Sequence, residues 1–165
     1  MHRYRCYNGA MATTAATATV LTGTAIKTML QLSTPSTRQI QIISWGFNLN
    51  GPPNGVVELI ETDVAATSGA AHVAAGVQPL VPGAPASLLT LGTGNTGYTF
   101  TVEGSITATR LFDQQILTAT ADSQFRYGYQ FTKDERPIVA VSKFLRVRAT
   151  MGSTVSMACW IVWDE

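Results

Sequence analysis

From Lys143 to its end the chain reads KFLRVRATMGSTVSMACWIVWDE, two runs of alternating side chains joined by Gly152, Ser153 and Thr154. In the first run Leu145, Val147, Ala149 and Met151 alternate with Arg146, Arg148 and Thr150. In the second, Val155, Met157, Cys159, Ile161 and Trp163 alternate with Ser156, Ala158, Trp160, Val162 and Asp164. A period of two is what a strand with one buried face requires, and the short polar link predicts a β-hairpin. Antiparallel register would then set Val147 opposite Cys159 and Leu145 opposite Ile161 on a core face. It would also bring Arg146 across from Trp160, close enough for a cation–π pair, and Phe144 across from Val162. A plain solvent face does not normally carry Phe, Trp and Val together, so a second layer of the domain or another chain must cover it.

The rest of the chain repeats the pattern in shorter pieces. Thr24–Leu32 predicts a strand with Ile26, Leu30 and Leu32 in one phase, closed by the turn residues around Pro35. In Arg38–Asn50, Ile40 and Ile42 share one phase, whereas Ile43, Trp45, Phe47 and Leu49 share the other. A slip of that kind between Ile42 and Ile43 is the mark of a β-bulge or of a strand changing sheets. NGPPNG at 50–55 is a turn, followed by a strand at Val56–Thr62 with Val57 and Leu59 inward. Further strands are expected at Tyr98–Glu103, Ile106–Phe112 with a continuation to Leu117, Gln124–Phe131 and Ile138–Val141. Eight or so short strands with little helix predict an all-β fold, a β-sandwich or jelly roll.

Two stretches break this rhythm. Residues 63–97, rich in Ala, Gly and Pro, read as a long surface excursion with one short helix near Ala84–Leu91, and loops of such length are usually functional or interfacial. The first 23 residues, opening MHRYRCYNGA and passing into an Ala/Thr run, have too little apolar surface to order themselves. They are expected to form an N-terminal arm, disordered or held by a neighbour, ahead of a domain at 24–165.

Composition narrows the function. Charged residues are 13% of the 165, about half the usual share, which fits a tightly packed or assembled protein. No run reaches the length of a transmembrane helix, and the Ala/Thr run lacks the apolar stretch of a secretory signal, so a soluble, unexported chain is expected, with no membrane partner. Net charge is +1 with the basic residues scattered apart from Arg3 and Arg5, which argues against nucleic acid. Cys6 and Cys159 are expected as reduced thiols rather than a disulfide framework.

Motifs for chemistry are sparse. GTGNTG at 92–97 has the letters of a phosphate loop, but the strand pattern that follows lacks the helix N-terminus such a loop uses, so a plain glycine-rich loop is expected. His2 and His72 have no ligand-spaced carboxylate or thiol beside them, so neither metal nor cofactor is expected. Glu61 and Asp63, with Glu58 nearby, share a strand face and could serve as a carboxylate pair; solubilising a strand end is the plainer role. No Ser stands in a nucleophile-elbow context. The alternating Phe125, Tyr127, Tyr129 and Phe131 read as core packing, with base or sugar stacking as the other option.

Several segments together resemble small virion structural proteins of tailed phages of actinobacteria. They are KTMLQLSTPSTRQIQIISWGF, VELIETDVAAT, AAHVAAGVQPLVPGAPASLLTLGT and the C-terminal run, covering most of the chain from Lys27 onward. The resemblance implies a non-enzymatic capsid decoration, or cement, protein. Such a protein would be made in the host cytoplasm, carried on the virion's capsid surface, bound to the major capsid protein and assembled as a homotrimer. The residues expected to make contacts are Arg3, Tyr4, Arg5 and Tyr7 in the arm and Phe144, Arg146, Trp160 and Val162 on the hairpin. A tail, baseplate or adhesion module binding host glycan through Tyr127 and Tyr129 is the alternative reading, and a β-sandwich hydrolase using Glu61 or Asp63 is the third.

Overall fold

Residues 2–119 and 124–165 are described by the computed structural model of the chain. The strands are β1 (Arg3–Tyr7), β2 (Val20–Leu21), β3 (Lys27–Ser33), β4 (Ile40–Asn50), β5 (Gly55–Thr62), β6 (Ala70–Ala71) and β7 (Val77–Pro79). They continue with β8 (Gly97–Tyr98), β9 (Thr109–Leu117), β10 (Gln124–Gln130), β11 (Ile138–Val139), β12 (Phe144–Met151) and β13 (Ser156–Asp164). A single 3₁₀ turn at Ala74–Gly76 is the sole helical element among the described residues.

Two antiparallel sheets pack face to face, as the alternation predicts. The first runs β10-β4-β13-β1-β7, with β11 added beside β4 and β2 beside β13; the second runs β6-β8-β3-β12-β5-β9. Residues of one phase in every long strand meet between the sheets: Trp45, Phe47 and Leu49 from β4, Val57 and Leu59 from β5, Leu145 and Val147 from β12, Cys159, Ile161 and Trp163 from β13. A fully buried aromatic side chain removes about 150–250 Å² from water, roughly 4–6 kcal/mol for each of Trp45, Trp163 and Phe47. That contribution holds the two layers together.

The alternation slip in β4 is a β-bulge. Along β13 the partner of Val162 is Ser44 and that of Trp163 is Ile42, so Ile43 stands without an opposite residue. The extra residue lets Ile40 and Ile42 on one side of it, and Trp45 and Phe47 on the other, all reach the core.

The C-terminal hairpin does not form. β12 pairs with β3 and β5 in the second sheet, and β13 pairs with β4 and β1 in the first. The link from Gly152 to Val155 therefore crosses the core edge instead of reversing the chain within one sheet. Each arm gains two partners this way, where a hairpin would have used one edge of each. The inward phase of both arms is the expected one, because facing sheets and a hairpin bury the same alternate residues.

Nor are the first residues a free arm. Arg3–Tyr7 is a strand paired on both edges, to β13 and β7, with Tyr4 and Cys6 fully buried. Asn8 then donates to the Met157 carbonyl and accepts from the Cys159 N–H, tying the strand end to β13. The low apolar content that predicts disorder is outweighed by these two inward side chains and by the backbone pairing. No boundary falls at residue 24, since Val20–Leu21 also pairs with β13.

The excursion at 63–97 is only partly a surface segment: it adds β6 and β7 to the sheet edges and buries Ala66, His72, Val77 and Leu89, and the helix near Ala84–Leu91 is absent. That stretch has no regular secondary structure and is held from outside: Tyr4 Oη donates to the Pro85 carbonyl, and the Thr90 N–H donates to the Ser33 carbonyl. GTGNTG is a loop, with Gly92 and Gly94 at positive φ, and it clasps β3 through Gln31 to the Asn95 carbonyl and the Ser33 N–H to Thr96. The strand expected at Tyr98–Glu103 shrinks to Gly97–Tyr98 and an isolated bridge between Thr67 and Val102. The strand expected at Ile106–Phe112 with a continuation to Leu117 is β9, which starts at Thr109 and runs through to Leu117.

Candidate functional surfaces

The outer face of the second sheet carries Glu58, whereas Glu61 takes the inward phase near the end of β5 and Asp63 follows that strand, and each of the three is engaged within the fold. Glu58 accepts from Arg148, 2.9 Å away. Glu61 accepts from both nitrogens on one side of Arg110 and from the Ala140 N–H. Asp63 accepts from the N–H groups of Thr107 and Ala108 and from the Thr107 hydroxyl, and these donors pull its carboxyl down to about 2. Glu61 and Asp63 thus serve separate anchoring roles: one seats Arg110 and the β11 approach, the other caps the chain entering β9. A carboxylate pair able to trade a proton is not built here, because each oxygen is committed to a different donor set.

Arg146 projects from the same outer face and is fully buried, covered by the loops at Val64 and Glu103. Its guanidinium donates to the Glu103 carboxylate at 3.0 Å and to the carbonyls of Val64 and Glu103. Glu103 in turn accepts from the N–H and hydroxyl of Thr28. Burial pulls the Arg146 guanidinium down to about 10 against the support of Glu103. Arg146 and Trp160 consequently lie on opposite outer faces of the sandwich, and the expected cation–π pair does not exist. Phe144, half-buried, shares the side of Arg146, and the expected Phe144–Val162 neighbourhood is likewise divided between the sheets.

His72 follows β6 and is buried against Gly76 and the Tyr98 ring. Its Nε2 lies 2.7 Å from the Tyr7 carbonyl, which can only accept, so the proton sits on Nε2. Burial lowers its proton affinity, with the Tyr7 carbonyl opposing. The residue joins the excursion to β1. Among the described residues no three His, Cys, Asp or Glu side chains come together as metal ligands. Cys6 and Cys159 are free buried thiols, both pushed up by burial.

The aromatic alternation of β10 divides by depth. Phe125 and Tyr127 pack on Phe47, and Tyr127 donates to Asp113 at 2.7 Å, which also accepts from the Trp45 indole. Burial and then the Asp113 hydrogen bond push the Tyr127 phenol up. Tyr129 stands exposed, edge-on to buried Phe131. Tyr127 belongs to the seam between β9 and β10, so it does not line a groove with Tyr129.

The remaining contact residues converge on the outer face of the first sheet. Arg3, Arg5 and Tyr7 of β1 lie beside Asp164, Val162 and Trp160 of β13 in register, and Tyr4 alone of that group turns inward. Buried Asp164 stands 3.5 Å from both Arg3 and Arg136. One step along, Gly128, Gly46, Trp160 and Tyr7 form a row across four strands, and Arg126, Asn48 and Ala158 form the next. Trp160 lies down over β4: a Cβ on Gly46 would sit 2.3 Å from its Cζ2, and one on Gly128 would sit 3.8 Å from the same atom. Arg5 donates to the Tyr7 hydroxyl and stacks on its ring, while its own Nε is buried without a partner. Sequence reasoning finds Trp160, Arg5 and Tyr7 but misses Gly46, Gly128, Asn48 and Arg126. A glycine inside the strong strand pattern SWGFNL is the available signal, since it marks close approach of another group.

Comparison with protein-family models, with curated proteins and with solved structures finds no match to this chain.

Proposed function

We propose that this β-sandwich is a non-enzymatic structural subunit of a phage virion, a capsid decoration protein that assembles as a cyclic trimer and fastens onto the major capsid protein. The resemblance of its segments to small phage virion proteins motivates the reading. The observation that carries it is the exposure of apolar side chains at both lateral edges of the sandwich. On one edge, β9 presents Leu111 at 52% and Ile116 at 75% exposure. On the other, beyond β6 and β7, the excursion presents Val73, Leu80, Val81 and Leu88. Apolar residues exposed along two separate edges offer two distinct surfaces for contact with other chains. Two unlike edges of this kind suit head-to-tail contacts, which close into a ring when the rotation between neighbours permits. A ring then multiplies weak contacts with a repeating shell.

The test is to add purified protein to capsids that lack it. The reading expects a trimer by light scattering, saturable binding, and a rise in the temperature at which the capsids rupture. Ile116→Lys should leave the domain folded and reduce trimerisation. A monomer that neither binds nor stabilises such capsids overturns the proposal.

A further inference from the structure

We infer that the outer face of the first sheet is a binding site for an acidic saccharide, with a sugar ring on the open side of Trp160 and its carboxylates held by Arg5 and Arg126. Two adjoining concavities, of about 640 and 270 Å³, share Asn48, Arg126 and Ala158. Arg5, Tyr7 and Trp160 complete the smaller one. Together they form a trough of the size that takes small ligands.

Three features select the ligand class. The first is the platform. Gly46 and Gly128 leave bare backbone under the Trp160 ring, and Ala158 on the same face is small, so the half-buried ring lines the smaller concavity. A pyranose offers an apolar C–H face to such a ring and hydroxyls around its rim, for which the Asn48 amide and the Tyr7 hydroxyl are within the trough.

The second is charge. Among the described residues Arg5 and Arg126 form no ion pair, whereas Arg110, Arg146 and Arg148 of the second sheet are each paired with a carboxylate. The buried, unpartnered Nε of Arg5 adds a donor without an acceptor. β10 and β1 are separated by three strand spacings, about 14 Å, so the two guanidinium groups approach Trp160 from opposite sides. An extended anionic chain crossing the strands would meet both.

The third is what the face lacks. β4 and β13, which run beneath the trough, are paired along both edges, so a peptide strand could add only along the outer edge of β10 and not across the trough. Single-stranded nucleic acid usually stacks successive bases on several aromatics; of the rings that line this trough, Tyr7 carries the Arg5 guanidinium over its face and Phe125 stacks on Phe47, which leaves Trp160 as the platform.

The inference stands apart from the capsid reading, which rests on the lateral edges. Its test measures binding of tetragalacturonate to the full chain by calorimetry and by the change in tryptophan fluorescence. The comparison ligands are the fully methyl-esterified tetramer, an oligoglutamate of equal charge and a dT oligonucleotide. The expected result is binding to tetragalacturonate that weakens about tenfold or more on esterification, in Arg126→Gln and in Trp160→Ala. Arg126 is exposed, so its substitution keeps the fold and the experiment decisive even if Trp160→Ala loosens the sheet. No binding of tetragalacturonate at millimolar concentration overturns the inference. So does equal or tighter binding of oligoglutamate, which would mark an acidic-peptide surface, or of the oligonucleotide, which would mark a nucleic-acid surface.

Discussion

The six-membered ring of Trp160 occupies the place where a side chain at position 46 would stand, since a Cβ on Gly46 would fall 2.3 Å from Cζ2 and 2.7 Å from Cη2. The two residues are opposite one another in the β4–β13 ladder, so glycine on one strand is the condition for the ring to lie down on the other. Gly46→Ala must lift Trp160 or shift the backbone near the Tyr127 carbonyl, which lies 2.6 Å from the same point. The expected cost is about 1–3 kcal/mol by denaturant unfolding, with a changed tryptophan emission in the folded state. An unchanged spectrum and unchanged stability would show that the ring does not rest there.

Arg146 and Glu103 form an ion pair whose arginine is fully buried. Removing one partner strands the other, so Arg146→Ala is expected to cost about 3–5 kcal/mol. Glu103 would keep its two donors from Thr28, which keeps the loss toward the lower end of that range. Urea unfolding with an unaltered slope is the measurement, and a loss below about 1 kcal/mol would contradict the buried pair.

His72 ties stability to pH. Its proton affinity is lowered in the folded state, chiefly by burial, so below its ordinary value near 6.5 the unfolded chain binds the proton more readily. The contribution of neutral His72 is fully present above about pH 6.5 and is lost as pH falls through the lower, folded-state value. His72→Gln can still donate to the Tyr7 carbonyl but does not titrate. Its unfolding free energy should fall less steeply than that of the natural chain between pH 7 and 5, and parallel profiles would exclude the assignment.

β1 carries two inward side chains, Tyr4 and Cys6, and covers an edge of β13. A chain starting at Met11 loses both, at about 4–6 kcal/mol by buried area for an aromatic such as Tyr4, and exposes that edge to pairing with other molecules. Lower thermal stability and concentration-dependent aggregation are expected. A truncated chain as stable as the whole would restore the reading of residues 1–23 as an arm.

Cys6 and Cys159 are buried and their thiols are pushed up, so neither supplies thiolate at neutral pH. A thiol reagent should label the folded protein at a rate set by opening of the fold, and both sites should react at once in denaturant.

How far the sequence reads depends on whether a property is local. The β4 slip at Ile42 and Ile43 names the bulge, because a change of phase is written in adjacent residues. Val57 and Leu59 are inward for the same reason. The hairpin fails because Gly152–Thr154 is compatible with a reversal in one sheet and with a crossing to the other, and only the partners waiting on β3, β5, β4 and β1 choose between them. The candidate surface was half legible for a related reason: Trp160, Arg5 and Tyr7 stand out by residue type, whereas Asn48 and Arg126 gain meaning only once four strands are side by side.

By itself the sequence determined the period of two, the turn positions and which phase of each strand is apolar, and these compel a two-layer β fold. Physically this is because side chains alternate on any strand, whatever it pairs with. The tertiary structure alone decided strand order, and strand order decided everything about outer faces. It put Arg146 under a loop beside Glu103, left Trp160 lying on Gly46 at the opposite surface, and made a strand paired on both edges of residues expected to form an arm. Such assignments depend on contacts between residues far apart in the chain, which no local pattern encodes.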